Sequence, residues 1–213
     1  MLTSIHLFSR PTRSFIRYET ALVKIRNDLI TTVDEGRVGA VVLLDLSAAF
    51  DTVDHQLLLL EILRHRFCVT DSSLAWFASY LSDRSQVFHI NSTSSDVFYL
   101  DCGVPQGSVL GSKIFITYTE DVDDVFDTQN IQHHGFADDK QIHVASTRSQ
   151  VHTVTWRLSE CIADVTDWCD SRRLQLNSTK TELMWFGTSS SLRCLSLFDK
   201  SLTVGDVNLQ TVE

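Results

Sequence analysis

The sequence predicts an α+β domain, an antiparallel sheet packed on helices, and three observations carry that reading. Val41-Val42-Leu43-Leu44 is a continuous apolar run that ends in Asp45, the pattern of a fully buried central strand delivering a carboxylate at its C-terminal end. Ile131 to Phe136 and Ile142-His143-Val144 flank Asp138 and Asp139 as two short strands flank a hairpin turn. Leu22, Ile25, Leu29 and Val33, and later Val151, Val154, Leu158, Cys161, Ile162, Val165 and Trp168, recur at steps of three and four, the spacing of helices that bury one face.

Composition bounds the rest. The chain has 213 residues, 43% of them hydrophobic, enough for a substantial core in one large domain or two small ones. Its five cysteines, Cys68, Cys102, Cys161, Cys169 and Cys194, form no CxxC pair and have no histidine at ligand spacing, so they read as reduced, mostly core thiols. Met1 to Arg13 is too short and polar for a secretory signal, and no apolar run approaches the ~20 residues that cross a bilayer. The expectation is an intracellular protein of the nucleus or cytoplasm, with no membrane partner. The net charge of −9, from 27 acidic and 18 basic residues, opposes the phosphate neutralisation on which nucleic-acid binding rests. Acid gathers at Glu120-Asp121-Val122-Asp123-Asp124 and Asp127, base at Arg10, Arg13, Arg17, Lys24 and Arg26. That basic group reads equally as a nucleic-acid face or a solvated helix face.

In chain order, the spacing predicts an amphipathic helix from Ile16 to Asp34, ended by Gly36. Strand Val38 to Leu46 follows. Small Ala48 and Ala49 then permit close backbone approach, and Phe50, from spacing alone, is an ordinary core aromatic. Asp54 is a plausible N-cap for a helix through Arg66, and a second helix spans Ser72 to Leu81. Gln86 to Asn91 and Val97 to Asp101 alternate as a hairpin around Ser92-Thr93-Ser94-Ser95. Pro105-Gln106-Gly107-Ser108 combines a fixed φ, an amide and a residue that permits close approach, ahead of a helix from Val109 to about Val122. After the acidic hairpin come the long helix to Trp168, a strand from Thr181 to Phe186, and small strands between Leu192 and Leu209.

The chemistry rests on three carboxylates delivered by two distant strands, Asp45, Asp138 and Asp139. Hard divalent cations take oxygen ligands, and two such ions clamp the attacking and leaving oxygens of a phosphoryl transfer. An isolated Asp-Asp pair is more often a polar turn. Its company decides the matter: Leu43-Leu44-Asp45-Leu46-Ser47-Ala48-Ala49-Phe50-Asp51-Thr52-Val53, then Gly103-Val104-Pro105-Gln106-Gly107-Ser108-Val109-Leu110-Gly111, then Phe136-Ala137-Asp138-Asp139, then Asn177-Ser178-Thr179-Lys180-Thr181-Glu182. In that order these segments resemble a reverse transcriptase palm, and more narrowly the polymerase of non-LTR (LINE-type) retrotransposons. The likeness runs over most of residues 10 to 187.

The resemblance implies a right-hand palm with partial fingers and no thumb: fingers over 1–37, palm with inserted fingers helices over 38–187, and the start of a primer-grip region over 188–213. It implies RNA-directed DNA polymerisation, with an RNA template, a DNA primer and deoxynucleotides as partners. Asp45, Asp138 and Asp139 would hold two Mg²⁺ ions, or Mn²⁺. Leu46, Phe50, Gln106, Gly107 and Arg10 would line the nucleotide site, Phe50 as the gate against a 2′-hydroxyl and Asp51 as a structural hydrogen-bonding residue. Lys180 sits where a lysine protonates the departing pyrophosphate, and an exposed loop lysine is the simpler reading of the same residue. The sequence departs from the family pattern at Ser112-Lys113 and at Lys140, a cation beside the metal carboxylates. The other reading is a truncated, non-catalytic relic that keeps the palm and at most binds nucleic acid or a protein partner.

Overall fold

The computed structural model describes residues 18–136, 139–193, 195–196, 201–205 and 207–211. Their order opens with helix α1 (Tyr18–Asp34), strand β1 (Val38–Leu44), a π-helix (Leu57–Arg66) and helix α2 (Asp71–Leu81). Four two-residue strands follow, β2 (Ser85–Gln86), β3 (His89–Ile90), β4 (Thr93–Ser94) and β5 (Phe98–Tyr99), then helices α3 (Val109–Tyr118) and α4 (Val122–Thr128). Strands β6 (Gln132–Phe136) and β7 (Asp139–Ser146), helix α5 (Val151–Ser171), strand β8 (Glu182–Gly187), the short helix α6 (Ser189–Leu192) and strands β9 (Ser201–Val204) and β10 (Val207–Gln210) complete it. Contacts divide the described residues into two compact units, one comprising 48–118, the other 18–47 and those from 119 onward.

The second unit is built on β1, which lies inside an antiparallel sheet of order β6-β7-β1-β8. Six of its seven residues are buried, as a strand paired on both edges and covered on both faces requires. Fully burying each Val or Leu side chain contributes roughly 1.5–3 kcal/mol. Helix α1 ends as the sequence indicates: Gly36 takes φ +66, and its N–H donates to Val33 O at 2.9 Å. Asp28 of α1 reaches His134 and His143, so α1 lies on their face of the sheet. On the other face α5 packs against β1 and β7, and Phe126 of α4 meets the His133 ring, centroids 4.9 Å apart. Helix α5 buries Val151, Val154, Leu158, Cys161, Ile162, Val165 and Cys169. Trp168, expected on that stripe, is half-buried instead, because its indole N–H donates to Asp121 Oδ1 at 3.0 Å.

The first unit departs further from expectation. Asp54 does cap the helix that follows, its Oδ1 accepting from the Leu57 N–H at 2.8 Å. The turns from Leu57 are wound as a π-helix, with Phe67 N–H still reaching back five residues to Ile62 O at 3.0 Å. The hairpin turns at Asn91 and Ser92, between the paired Ile90 and Thr93, rather than over Ser92 to Ser95. Asn91 has φ +54, a conformation asparagine tolerates better than most side chains. The helix expected to run to Val122 ends at Tyr118, and α4 starts afresh at Val122, past a turn in which Thr119 is buried. Of the four described cysteines, Cys161 and Cys169 are buried and Cys68 and Cys102 are exposed, so only half are core thiols. Burial pushes both buried thiols up to about 12. Among the described residues no helix is long and apolar enough to cross a membrane.

Candidate active site

Asp45 follows the last residue of β1, and the chain holds it from a second side. Leu46 bridges Leu176, Ser47 N–H donates to Gln175 O at 2.8 Å, and Asn177 N–H donates to Asp45 O at 2.8 Å. The segment Leu174 to Asn177 thus lies alongside Asp45 and fixes its backbone. At Asn177 the chain turns, its carbonyl accepting from the N–H groups of Lys180 (3.1 Å) and Thr181 (2.9 Å) and from Thr181 Oγ1 (2.9 Å). This turn brings Lys180 Nζ to 3.8 Å from Asp45 Oδ2. The Lys180 side chain is 70% exposed, so the pair contributes only ~0–1 kcal/mol.

Asp139 opens β7. It belongs to the strand rather than to a turn, while Asp138 lies outside the described residues. The register of β1 on β7 runs from Val38↔Ser146 to Leu44↔Lys140. Asp45 and Asp139 are therefore the next residues at the same end of the same strand pair, where directly opposed Cα atoms stand ~4.5–5.5 Å apart. Strand alternation turns Lys140 to the opposite face from Asp139. There its Nζ lies 2.7 Å from where a Cβ on Gly135 would sit.

Asp45 and Asp139 thus lie at the same end of the β1 and β7 strand pair. Asp45 Oδ2 is buried and accepts no hydrogen bond, its charge faced at 3.8 Å by the exposed Lys180 ammonium, which leaves room for a closer cation. A hard divalent ion matches that donor set. Among the described residues no group of three His, Cys, Asp or Glu side chains could hold a metal ion, and the third expected carboxylate is Asp138.

The expected nucleotide residues lie in the other unit, apart from Leu46, which is half-buried beside Leu176. Phe50 stacks on Phe115, centroids 4.7 Å apart and planes at 22°, which holds its ring on the edge of the core. Gln106 and Gly107 are exposed at the apex of a loop, Gly107 with φ +80. Ser108 Oγ donates to Pro105 O (2.8 Å), accepts from Gly111 N–H (2.8 Å) and meets Tyr80 Oη at 3.1 Å. Gly111 has no room for a side chain, since a Cβ would stand 2.3 Å from Pro105 O. Arg10 lies outside the described residues. Asp51, expected to bond structurally, is exposed, and its recorded bonds are backbone ones, its carbonyl accepting from Cys102 Sγ at 3.2 Å.

Sequence reasoning passed over a second polar cluster. His134 and His143 carry side chains only 6% exposed, with Nε2 atoms 3.8 and 3.6 Å from Asp28 Oδ2 and no hydrogen-bond partner for either nitrogen. They line a cavity of about 470 Å³ with Lys24, Asp127 and Gln132. Burial lowers both pKa values below 6.5; Lys24 lowers His134 further, while Asp28 opposes the shift in each. The consecutive His133-His134 of β6, with His143 in the strand that follows, were the available signal.

The fold is shared with a solved telomerase. The structure of apo telomerase from Candida tropicalis truncated from the C-terminal domain superimposes with a TM-score of 0.59 at 15% identity, over 90% of this chain and 38% of that one. Telomerase from Candida albicans in complex with a fragment of telomeric RNA aligns more loosely, with a TM-score of 0.42 at 14% identity over 92% of this chain and 34% of that one. This chain therefore spans a little over a third of the length of these structures. No curated protein sequence matches it. The helix-backed antiparallel sheet is the fold this chain shares with the first of these structures. The reverse transcriptase (RNA-dependent DNA polymerase) family model matches residues 7–199, and the chain belongs to that family.

Proposed function

We propose that this chain is the palm-centred part of an RNA-directed DNA polymerase of a non-LTR, LINE-type retrotransposon, with fingers over 1–37, palm over 38–187 and the start of a primer grip over 188–213. The observation that supports it most is that Asp45 and Asp139 each stand next to the last register pair of β1 and β7, Leu44↔Lys140, with Asp45 Oδ2 buried and accepting no hydrogen bond. The reaction is nucleotidyl transfer: the primer 3′-oxygen bonds to the α-phosphorus of a deoxynucleotide, the α–β anhydride bond breaks and pyrophosphate leaves. Asp45, Asp138 and Asp139 would hold two Mg²⁺ ions, or Mn²⁺, which when bound supply Lewis-acid stabilisation of the attacking and leaving oxygens. Phe50 excludes a 2′-hydroxyl, Leu46, Gln106, Gly107 and Arg10 line the nucleotide site, and Lys180 carries at Nζ the proton for pyrophosphate. RNA template and DNA primer are the macromolecular partners.

The net charge of −9 favours a second reading, a catalytically silent palm that keeps the fold. Primer extension on poly(rA)/oligo(dT) with Mg²⁺ separates the two. Extension that Asp45→Asn abolishes supports the polymerase; no extension by a folded parent chain, with Mg²⁺ or Mn²⁺, refutes it for this chain.

A further inference from the structure

One backbone carbonyl in the first unit is gripped from two directions. Gly103 O accepts from Arg84 Nη1 at 2.6 Å and from His55 Nε2 at 2.8 Å. A carbonyl only accepts, so His55 presents Nε2–H. The same residue is tied through its other side, Gly103 N–H donating to Val53 O and Val104 N–H to Phe50 O, both at 2.8 Å. Gly103 is buried with φ +83, and a Cβ there would stand 2.9 Å from Asp51 O. Three stretches of chain thus meet at one peptide: residues 50–55, Arg84, and the base of the loop that carries Gln106 and Gly107.

The apex of that loop is less held than its base. Gly107 and Gln106 are exposed, and nothing lies within 4 Å of a Cβ built on Gly107. On its far side the loop is anchored through Ser108 to Pro105, Gly111 and Tyr80. The near side depends on Gly103, and Arg84 brings a charge-assisted bond, shorter and stronger than a neutral one. Both gripping side chains are half-buried, so water competes with them incompletely.

We propose that His55 and Arg84 are positioning residues: by holding the Gly103 carbonyl together they lock the Gly103–Gly107 loop to the Phe50 segment, and so set the affinity for the incoming deoxynucleotide without touching it. The nucleotide half of this rests on the polymerase reading above; the grip on the loop does not. The test compares the parent with His55→Leu/Arg84→Met, which removes both donors, and with His55→Gln/Arg84→Lys, which keeps one on each side. Amide hydrogen exchange without nucleotide reads the grip directly. Exchange at Gly103 and Val104, whose N–H groups donate to Val53 O and Phe50 O, is expected to rise about tenfold in the first variant, with the sheet unaffected, and to return towards the parent in the second. In primer extension the first variant is expected to raise KM for dNTP about tenfold with kcat within about twofold, and the conservative pair to restore it.

Unchanged exchange at Gly103 and Val104 overturns the grip. A fall in kcat with KM unchanged overturns the effect on nucleotide affinity. If the folded parent extends no primer, the polymerase reading and the nucleotide half fall together, while exchange still decides the grip. A rise in exchange across the whole chain marks unfolding of the double variant, and the single replacements His55→Leu and Arg84→Met, each of which must then loosen residues 103–104 alone, decide in its place.

Discussion

Gly39 has a neighbour in the space where a side chain would go. It sits in β1 opposite Ala145 on one side and Phe186 on the other. A Cβ there would stand 2.2 Å from Phe186 Cζ, 2.7 Å from Cε2 and 2.9 Å from Cε1. Because β1 is hydrogen-bonded on both edges, the ring must move rather than the strand. Overpacking of this kind costs typically ~1–3 kcal/mol. Alanine in place of glycine offsets roughly 0.5–1 kcal/mol of that through the unfolded chain. The net expectation for Gly39→Ala is a loss of about 1–2 kcal/mol, or roughly 2–8 °C in Tm for a chain of this size. Urea unfolding followed by fluorescence of the four tryptophans measures it. Phe186→Ala removes the obstructing ring, so Gly39→Ala in that background should be neutral or slightly stabilising, a coupling of about 2 kcal/mol. If Gly39→Ala lies within about 0.5 kcal/mol of the parent, or costs the same with and without the Phe186 ring, the clash argument is wrong.

Other expectations follow from the two polar centres and the stacked aromatic pair. Asp45→Asn should lower primer extension by ~100-fold or more, since even outer-shell partners of metal sites cost ~10–100-fold, while leaving the urea midpoint nearly unmoved; retained extension would remove Asp45 from the reaction. Phe50→Val should reduce discrimination against ribonucleotides, and through loss of the Phe115 stack cost about 1–3 kcal/mol; unchanged rNTP to dNTP ratios in steady-state incorporation would count against the gate. His134 and His143 have folded pKa values below 6.5, so the unfolded chain binds more protons as pH drops past 6.5. Stability should be at its plateau above that pH and fall below it, and His134→Gln/His143→Gln should flatten the profile in urea titrations at pH 7.5 and 5.5; a parent equally stable at both would contradict it.

The legible parts of the fold are those decided by pattern. The run from Val38 to Leu44 is apolar at nearly every position because β1 is covered on both faces, and α5 shows its buried stripe because one face alone meets the sheet. The illegible parts were decided by partners far along the chain. No local signal distinguishes the π-winding after Leu57 from an α-helix of the same residues. The break after Tyr118 coincides with Asp121 accepting from Trp168 and pairing with Arg172, neither of which periodicity reveals. At the site, the strand-end position of Asp45 was readable from its apolar run, and the adjacency to Asp139 required the register. Close approaches at Gly39 and Gly111, and the double grip on Gly103, depend on which atoms arrive opposite, and a glycine alone does not say.

The place of β1 in the sheet also bears on how the protein is made. The ribosome releases Val38–Leu44 well before either of the strands that cover its edges, Asp139–Ser146 and Glu182–Gly187. Until then the nascent chain carries an uncharged, β-prone heptapeptide with every backbone donor and acceptor open to another copy, the composition that favours intermolecular stacking. Pairing so remote in sequence is also slow to form once the partners exist. Yield in cell-free synthesis should therefore depend on holdase chaperones more than the stability of the finished sheet suggests, and slowing translation beyond Leu44 should lengthen the exposure rather than relieve it.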